Sequence, residues 1–196
     1  MSVVLVDAGG TNIGSVRYAL QRLGVEAALT ADAATIRAAD KVILPGVGAA
    51  GPGMARLREL GLIDLMRSLV QPVLGVCLGM QLLCEHSEEG DTECLGLIPG
   101  GVRRFSEVPG LRIPHMGWNQ LTVTRNHPLL KGIHDDDQAY FVHSYAVPVG
   151  ECSLATVDHG GPFSALVARG NFHGMQFHPE RSAAVGATLL KNFLEL

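Results

Sequence analysis

The stretch Pro72-Val73-Leu74-Gly75-Val76-Cys77-Leu78-Gly79 governs the reading of this chain. An apolar run of strand length passes, with no polar linker, into a segment whose pattern predicts a helix from residue 77 to about residue 86. The cysteine stands in G-x-C-x-G, the spacing of a nucleophile elbow, the sharp strand-to-helix turn best known with serine at its tip. Glycines two before and two after the tip allow neighbouring elements to approach where side chains would clash. Such a turn lifts the sulfur above a sheet and places it at a helix N-terminus. There the helix dipole and free N–H groups favour thiolate over thiol. The competing reading is an inert cysteine in an ordinary Gly-rich turn, and the motif alone leaves both open.

Working outward, residues 2–7, 25–29 and 41–44 are further apolar strands. Ile13, Val16, Leu20 and Leu23 recur at helical spacing. Leu57, Leu60, Ile63, Leu65, Met66 and Leu69 predict a second helical region, interrupted around Gly61. Strands alternating with helices imply a mostly parallel central sheet with helices on both faces. The second half differs. Residues 102–105, 118–124, 140–147, 153–158, 163–168 and 172–177 all read as strands. Gly160-Gly161 and Gly170-Asn171 mark turns between neighbours, so antiparallel C-terminal strands are expected. A last helix is expected over about residues 182–194. The fold class is α/β, and residues 1–196 are read as a single domain.

Composition supports a globular protein. Of 196 residues, 47% are apolar and 17% charged, which excludes a disordered chain. A net charge of −4 argues against nucleic acid as a partner, because phosphate binding needs a basic surface. No apolar run approaches membrane-spanning length, so no membrane partner is expected. The N-terminus enters a strand with no basic leader or cleavage site, and the expected location is cytoplasmic. The four cysteines, Cys77, Cys84, Cys94 and Cys152, form no CxxC pair. Histidines and cysteines do not cluster at ligand spacings, so neither a metal nor another cofactor is expected.

A thiolate that expels an amine needs an acid–base partner, and that partner needs a group to orient it. Of eight histidines, His178 closes the strand-like Gly174-Met175-Gln176-Phe177 and is followed by Pro179-Glu180. Proline stops the strand, and i, i+2 spacing keeps His178 and Glu180 side by side beyond it. His143, inside Tyr140-Phe141-Val142-His143-Ser144-Tyr145, is the competing base. Pro45-Gly46-Val47-Gly48 ends the third strand, where ligands of parallel sheets bind and where backbone N–H groups can face them, although taken alone the run reads as an ordinary Gly-rich turn. The turn Asp7-Ala8-Gly9-Gly10-Thr11-Asn12 resembles the phosphate loop of sugar kinases of the actin-like fold. A helix rather than a hairpin follows it, and no further nucleotide motif supports that reading.

Gly75-Val76-Cys77-Leu78-Gly79-Met80-Gln81 and His178-Pro179-Glu180 resemble the signatures of class I, triad-type glutamine amidotransferases. Four segments resemble, within that class, the glutaminase subunits of imidazole glycerol phosphate synthase. They are Leu44 to Gly48, the run Pro114-His115-Met116-Gly117-Trp118-Asn119, Tyr140 to Tyr145, and Gln176 to Ser182. The segments occur in order over essentially the whole chain. The first loop departs from the family, with Ala8-Gly9-Gly10-Thr11 where an aromatic-glycine pattern is common.

The resemblance implies that Cys77, His178 and Glu180 form a catalytic triad. It implies an oxyanion hole built from Leu78 and from Val47 or Gly48. It also implies glutamine held by Gly46, Gln81, Ser144 and Tyr145. The implied partner is a (βα)8-barrel cyclase subunit in a heterodimer. That partner would use ammonia to make imidazole glycerol phosphate and an aminoimidazole carboxamide ribonucleotide in histidine biosynthesis. One alternative is the glutaminase of an anthranilate or aminodeoxychorismate enzyme. Met80, where those commonly carry His, speaks against it. The other is a catalytically silent binding subunit.

Overall fold

The computed structural model describes residues 1–9 and 13–196. Gly10, Thr11 and Asn12 of the first turn, and with them much of the kinase-like loop, lie outside the described residues.

The first half alternates. β1 (Val3–Val6), α1 (Ile13–Arg22), β2 (Ala27–Thr30), α2 (Ala33–Ala38) and β3 (Lys41–Gly46) are followed by α3 (Ala50–Glu59), α4 (Ile63–Ser68), β4 (Val73–Cys77) and α5 (Leu78–Leu83). Short strands β5 (His86–Ser87), β6 (Thr92–Glu93) and β7 (Gly101–Arg104) come next, then β8 (His115–Gln120) and β9 (Thr122–Val123). β10 (Gln138–His143), β11 (Tyr145–Ala146), β12 (Ser153–Asp158), β13 (Pro162–Arg169) and β14 (Phe172–Met175) lead to the final helix α6 (Ala183–Glu195).

The main sheet runs β2-β1-β3-β4-β14-β13-β12-β9. Its first five strands are parallel and its remaining pairings antiparallel, as expected from the change of pattern along the chain. Strand alternation divides the core. Val3 and Leu5 of β1 face one apolar cluster with α1 and α6, whereas Val4 and Val6 face another with α2 to α5. The first cluster holds Phe141, Phe177 and Phe193, all fully buried. Truncating any one to alanine would cost about 3–5 kcal/mol. Among the described residues no helix is long and apolar enough to cross a membrane.

One helix has no counterpart in the sequence reading, and three local expectations change. α2 carries no long apolar periodicity. It is six residues capped by Asp32, whose carboxylate accepts from the Thr35 amide at 2.8 Å. The helix after Cys77 stops at Leu83 instead of running to about residue 86. Beyond it the Glu85 amide bonds the Gly100 carbonyl, and His86 and Ser87 pair with β7. The expected strand over residues 118–124 is two strands, because β8 pairs with β10 and β9 with β12. The expected strand over 140–147 also changes sheets, β10 pairing with β8 and β11 with β7. At that break the Ser144 carbonyl accepts from the Phe105 amide at 3.0 Å. The break matters for function, since it turns Ser144 and Tyr145 toward the end of β4.

Candidate active site

Cys77 ends β4 and adopts φ 53°, ψ −112°. A non-glycine residue with positive φ, outside the left-handed helical well, stores on the order of 1–3 kcal/mol. The surrounding glycines make the turn possible by close approach. A Cβ on Gly75 would lie 2.6 Å from the Gly79 carbonyl, and one on Gly79 only 1.8 Å from the Leu44 carbonyl oxygen. Thus the G-x-C-x-G spacing is a packing requirement between β3, β4 and the start of α5. The elbow reading of the sequence survives, with a shorter helix behind it.

His178 lies just past β14, which pairs in parallel with β4 so that Met175 is opposite Val76. That register brings residues about 100 positions apart to one sheet edge. The 3-10 turn Pro179–Arg181 follows at once. Ser182 anchors it, donating from its hydroxyl to the His178 carbonyl at 2.7 Å and accepting from the Tyr140 amide at 2.9 Å. His178 Nδ1 bonds Glu180 Oε1 at 3.0 Å, and both side chains are almost wholly buried. His178 and Cys77 line the same pocket, where the two groups interact. Burial disfavours a charge on the imidazole. Its interactions with Cys77 and with Glu180 overcome this and raise its pKa to about 10.

His143 is the poorer candidate for the base. It is buried, its Nδ1 is 2.8 Å from the Tyr145 carbonyl, and its Nε2 is 3.1 Å from His115 Nδ1. Burial, with smaller contributions from neighbouring charges, lowers its pKa to about 3. Both nitrogens are occupied by neighbours other than the thiol.

A pocket of about 440 Å³, within the range of small-molecule sites, opens over the sulfur. It brings together Val47, Gly48, Cys77, Leu78, Gln81, Ser144, Tyr145 and His178. Gly46 lies beside it, where an added Cβ would sit 2.9 Å from the Gly79 nitrogen, and Glu180 sits behind His178. Gly48 has φ 100°, a conformation that favours glycine. The sequence reading missed Glu89, Gln176 and Arg181. Glu89 lines the pocket, and one carboxylate oxygen accepts from the Ala50 amide at 2.8 Å. Gln176, fully buried, donates to Cys77 Sγ at 3.9 Å. Glu89 announces itself by no local motif, and Gln176 opens the segment Gln176 to Ser182 with nothing in its spacing to single it out. Arg181 directly follows Glu180, and its guanidinium stacks over the Tyr140 ring at 4.2 Å.

A buried cysteine on a strained turn, in one pocket with an imidazole that a carboxylate orients, has the parts needed for attack on an acyl carbon and protonation of a leaving amine. The chain matches the family described as Glutamine amidotransferase class-I over residues 4–196. It is 59% identical over 194 residues, 99% of this chain and 97% of the other, to the "Imidazole glycerol phosphate synthase subunit HisH" of Xanthomonas axonopodis pv. citri. It is 58% identical, with the same coverage, to the protein of that name from Xylella fastidiosa. Among solved structures it resembles one titled "Crystal structure of glutamine amidotransferase" (TM-score 0.78, 24% identity, 100% of this chain and 98% of that one). It also resembles a chain of PurLQS from Thermotoga maritima (TM-score 0.75, 20% identity, 99% and 97% covered). At such identities the structural likenesses speak for the fold alone. With the sequence match running from the first strand to the last residue, the chain belongs to the class-I glutamine amidotransferase family.

Proposed function

We propose that this chain is the glutaminase subunit of imidazole glycerol phosphate synthase, with residues 1–196 acting as one amidotransferase domain. It hydrolyses glutamine to glutamate and ammonia, and a cyclase partner consumes the ammonia. The observation that carries the chemistry is the buried Cys77–His178–Glu180 arrangement at the mouth of the pocket. The histidine-pathway assignment is supported by relatives of that name, 58–59% identical over nearly the full chain.

In this reading the Cys77 thiolate attacks the side-chain carboxamide carbon of glutamine. The oxyanion is met by the Leu78 N–H and by an N–H of the Val47-Gly48 loop. His178, charged by its pairing with thiolate and carboxylate, gives its proton to the departing nitrogen, and the C–N bond breaks to release ammonia. The now neutral imidazole takes a proton from water, whose oxygen adds to the glutamyl thioester; the C–S bond then breaks, releasing glutamate and restoring the Cys77 thiolate beside charged His178. Glu180 orients the ring throughout. Gly46, Gln81, Ser144 and Tyr145 form the wall that holds the substrate. Glu89, the carboxylate in the pocket lining, suits the substrate's α-ammonium group.

Ammonia in neutral water is mostly ammonium, which is no nucleophile, so a directly attached consumer is chemically sensible. We assign that role to a (βα)8-barrel cyclase subunit in a heterodimer. On β8, Met116 is 64% and Trp118 51% exposed, an apolar face suited to a partner. The test is Cys77→Ser in the reconstituted complex. A hydroxyl is far less acidic than a thiol, so glutamine-dependent synthesis should be lost while synthesis from added ammonium salt persists. Retained glutamine-dependent activity would remove Cys77 from its role.

A further inference from the structure

His115, His143 and Asn119 take no part in the proposed chemistry, yet both imidazoles are buried, His143 in the lining of the pocket and His115 hydrogen-bonded to it. Their hydrogen bonds can be assigned a direction from chemistry alone. The Tyr145 carbonyl only accepts, so His143 Nδ1, 2.8 Å away, carries the proton. In a neutral ring Nε2 must then accept, and its partner at 3.1 Å, His115 Nδ1, must donate. His115 Nε2 accepts in turn from the Asn119 side-chain amide at 3.2 Å, whose nitrogen also donates to the Asp158 carbonyl at 2.9 Å. His159 stacks on His115 with centroids 4.1 Å apart and turns its own Nε2 to the Arg112 carbonyl at 2.8 Å. The other rings packed here are apolar: Phe141 stacks on His115 with centroids 4.9 Å apart, and Phe105 and Phe163 lie 5.1 and 5.0 Å from His143. Burial lowers the pKa of both histidines, His115 to about 4, so they are neutral at working pH.

The chain of bonds continues past the Tyr145 carbonyl. That oxygen also accepts from Gln81 Nε2 at 2.9 Å, and the same nitrogen donates to Gln176 Oε1 at 2.9 Å. Both amide hydrogens of Gln81 are thereby used, which leaves its Oε1 to the pocket it lines.

We propose that Asn119, His115 and His143 are positioning residues, a one-way hydrogen-bond relay that fixes the Tyr145 carbonyl and, through it, presents the Gln81 Oε1 acceptor to the bound amino acid. The inference rests on the glutamine reading of the pocket. It predicts that breaking the relay one residue behind the pocket lining weakens substrate binding without changing the reactivity of the thiol. His115 does not line the pocket, so it is the place to break it.

The experiment uses the full chain and the diazo-ketone analogue of L-glutamine, whose carbon alkylates Cys77 with loss of dinitrogen. Iodoacetamide, too small to use the amino-acid wall, reports thiol reactivity. His115→Phe should raise the half-saturating concentration of the analogue about tenfold, as expected when a buried acceptor on His143 loses its donor. The iodoacetamide rate should stay within about twofold. His115→Asn, whose amide nitrogen stands where Nδ1 stood, should recover most of the loss. Nitrogen NMR of the wild-type histidines should show the proton on Nδ1 of both His115 and His143. Unchanged half-saturation in His115→Phe, or a proton on His143 Nε2, would overturn the relay. A wild-type protein that the analogue does not label saturably would instead refute the glutamine reading, while the NMR spectrum still decides the relay.

Discussion

Gly79→Ala tests whether the elbow is a packing requirement. A Cβ at Gly79 would lie 1.8 Å from the Leu44 carbonyl oxygen and 2.8 Å from its carbon, both rigid backbone. Real contacts of this kind stay above 3.0 Å, so β3 and the first turn of α5 must part by more than about 1 Å. Those two elements carry the two sides of the proposed oxyanion hole, Val47-Gly48 beyond β3 and Leu78 at the start of α5. A misplacement of about 1 Å at a reacting centre costs roughly a hundredfold in rate. Overpacking costs about 1–3 kcal/mol of stability, and a clash with backbone belongs at the upper end. Gly14→Ala is the control. Its Cβ would meet only the Tyr18 ring at an ordinary 3.7 Å in helix α1, where alanine gains up to about 1 kcal/mol. Glutamine hydrolysis by the partner-bound complex and urea unfolding of the isolated chain are the assays. Gly79→Ala should lose about two orders of magnitude in kcat/KM and unfold at lower urea, while Gly14→Ala keeps wild-type turnover. If Gly79→Ala matched Gly14→Ala in both assays, the close approach would not be what fixes the elbow.

His178→Ala should cripple both formation and breakdown of the thioester, and Glu180→Gln should do less harm, because an amide still bonds the ring. The double variant should be little slower than His178→Ala, since such groups act as a unit; strictly additive losses would mean that the two act independently. The raised pKa of His178 also ties stability to pH. With the thiolate paired to charged His178, the folded pair holds one proton, which the unfolded chain keeps on its thiol until about pH 8.5, so this stabilisation fades between there and about pH 10. Between about pH 8.5 and 10 the wild type should therefore lose more urea stability than His178→Gln, and parallel losses would show that the pairing with Cys77 and Glu180 does not hold the proton.

Much of this protein is written in local pattern. The elbow is legible because strand, glycine, cysteine and glycine are consecutive, and so is the His178–Glu180 pair, which the proline between them holds in a tight turn. The change from parallel to antiparallel sheet shows in the shift from helix-spaced to strand-spaced apolar residues. Helix α2 was missed because six residues are too few for a period to show, although the Asp32 cap was there to be read. What the sequence could not decide is which distant side chains share hydrogen bonds. His143 competed with His178 until packing gave its nitrogens to His115 and Tyr145. Gln176 has no motif of its own, yet it meets Cys77 across 99 positions and Gln81 across 95. Periodicity and turn chemistry act between neighbours in sequence. A buried hydrogen bond instead selects its partner by the register of strands and by which polar groups water no longer reaches, and only the folded chain sets those.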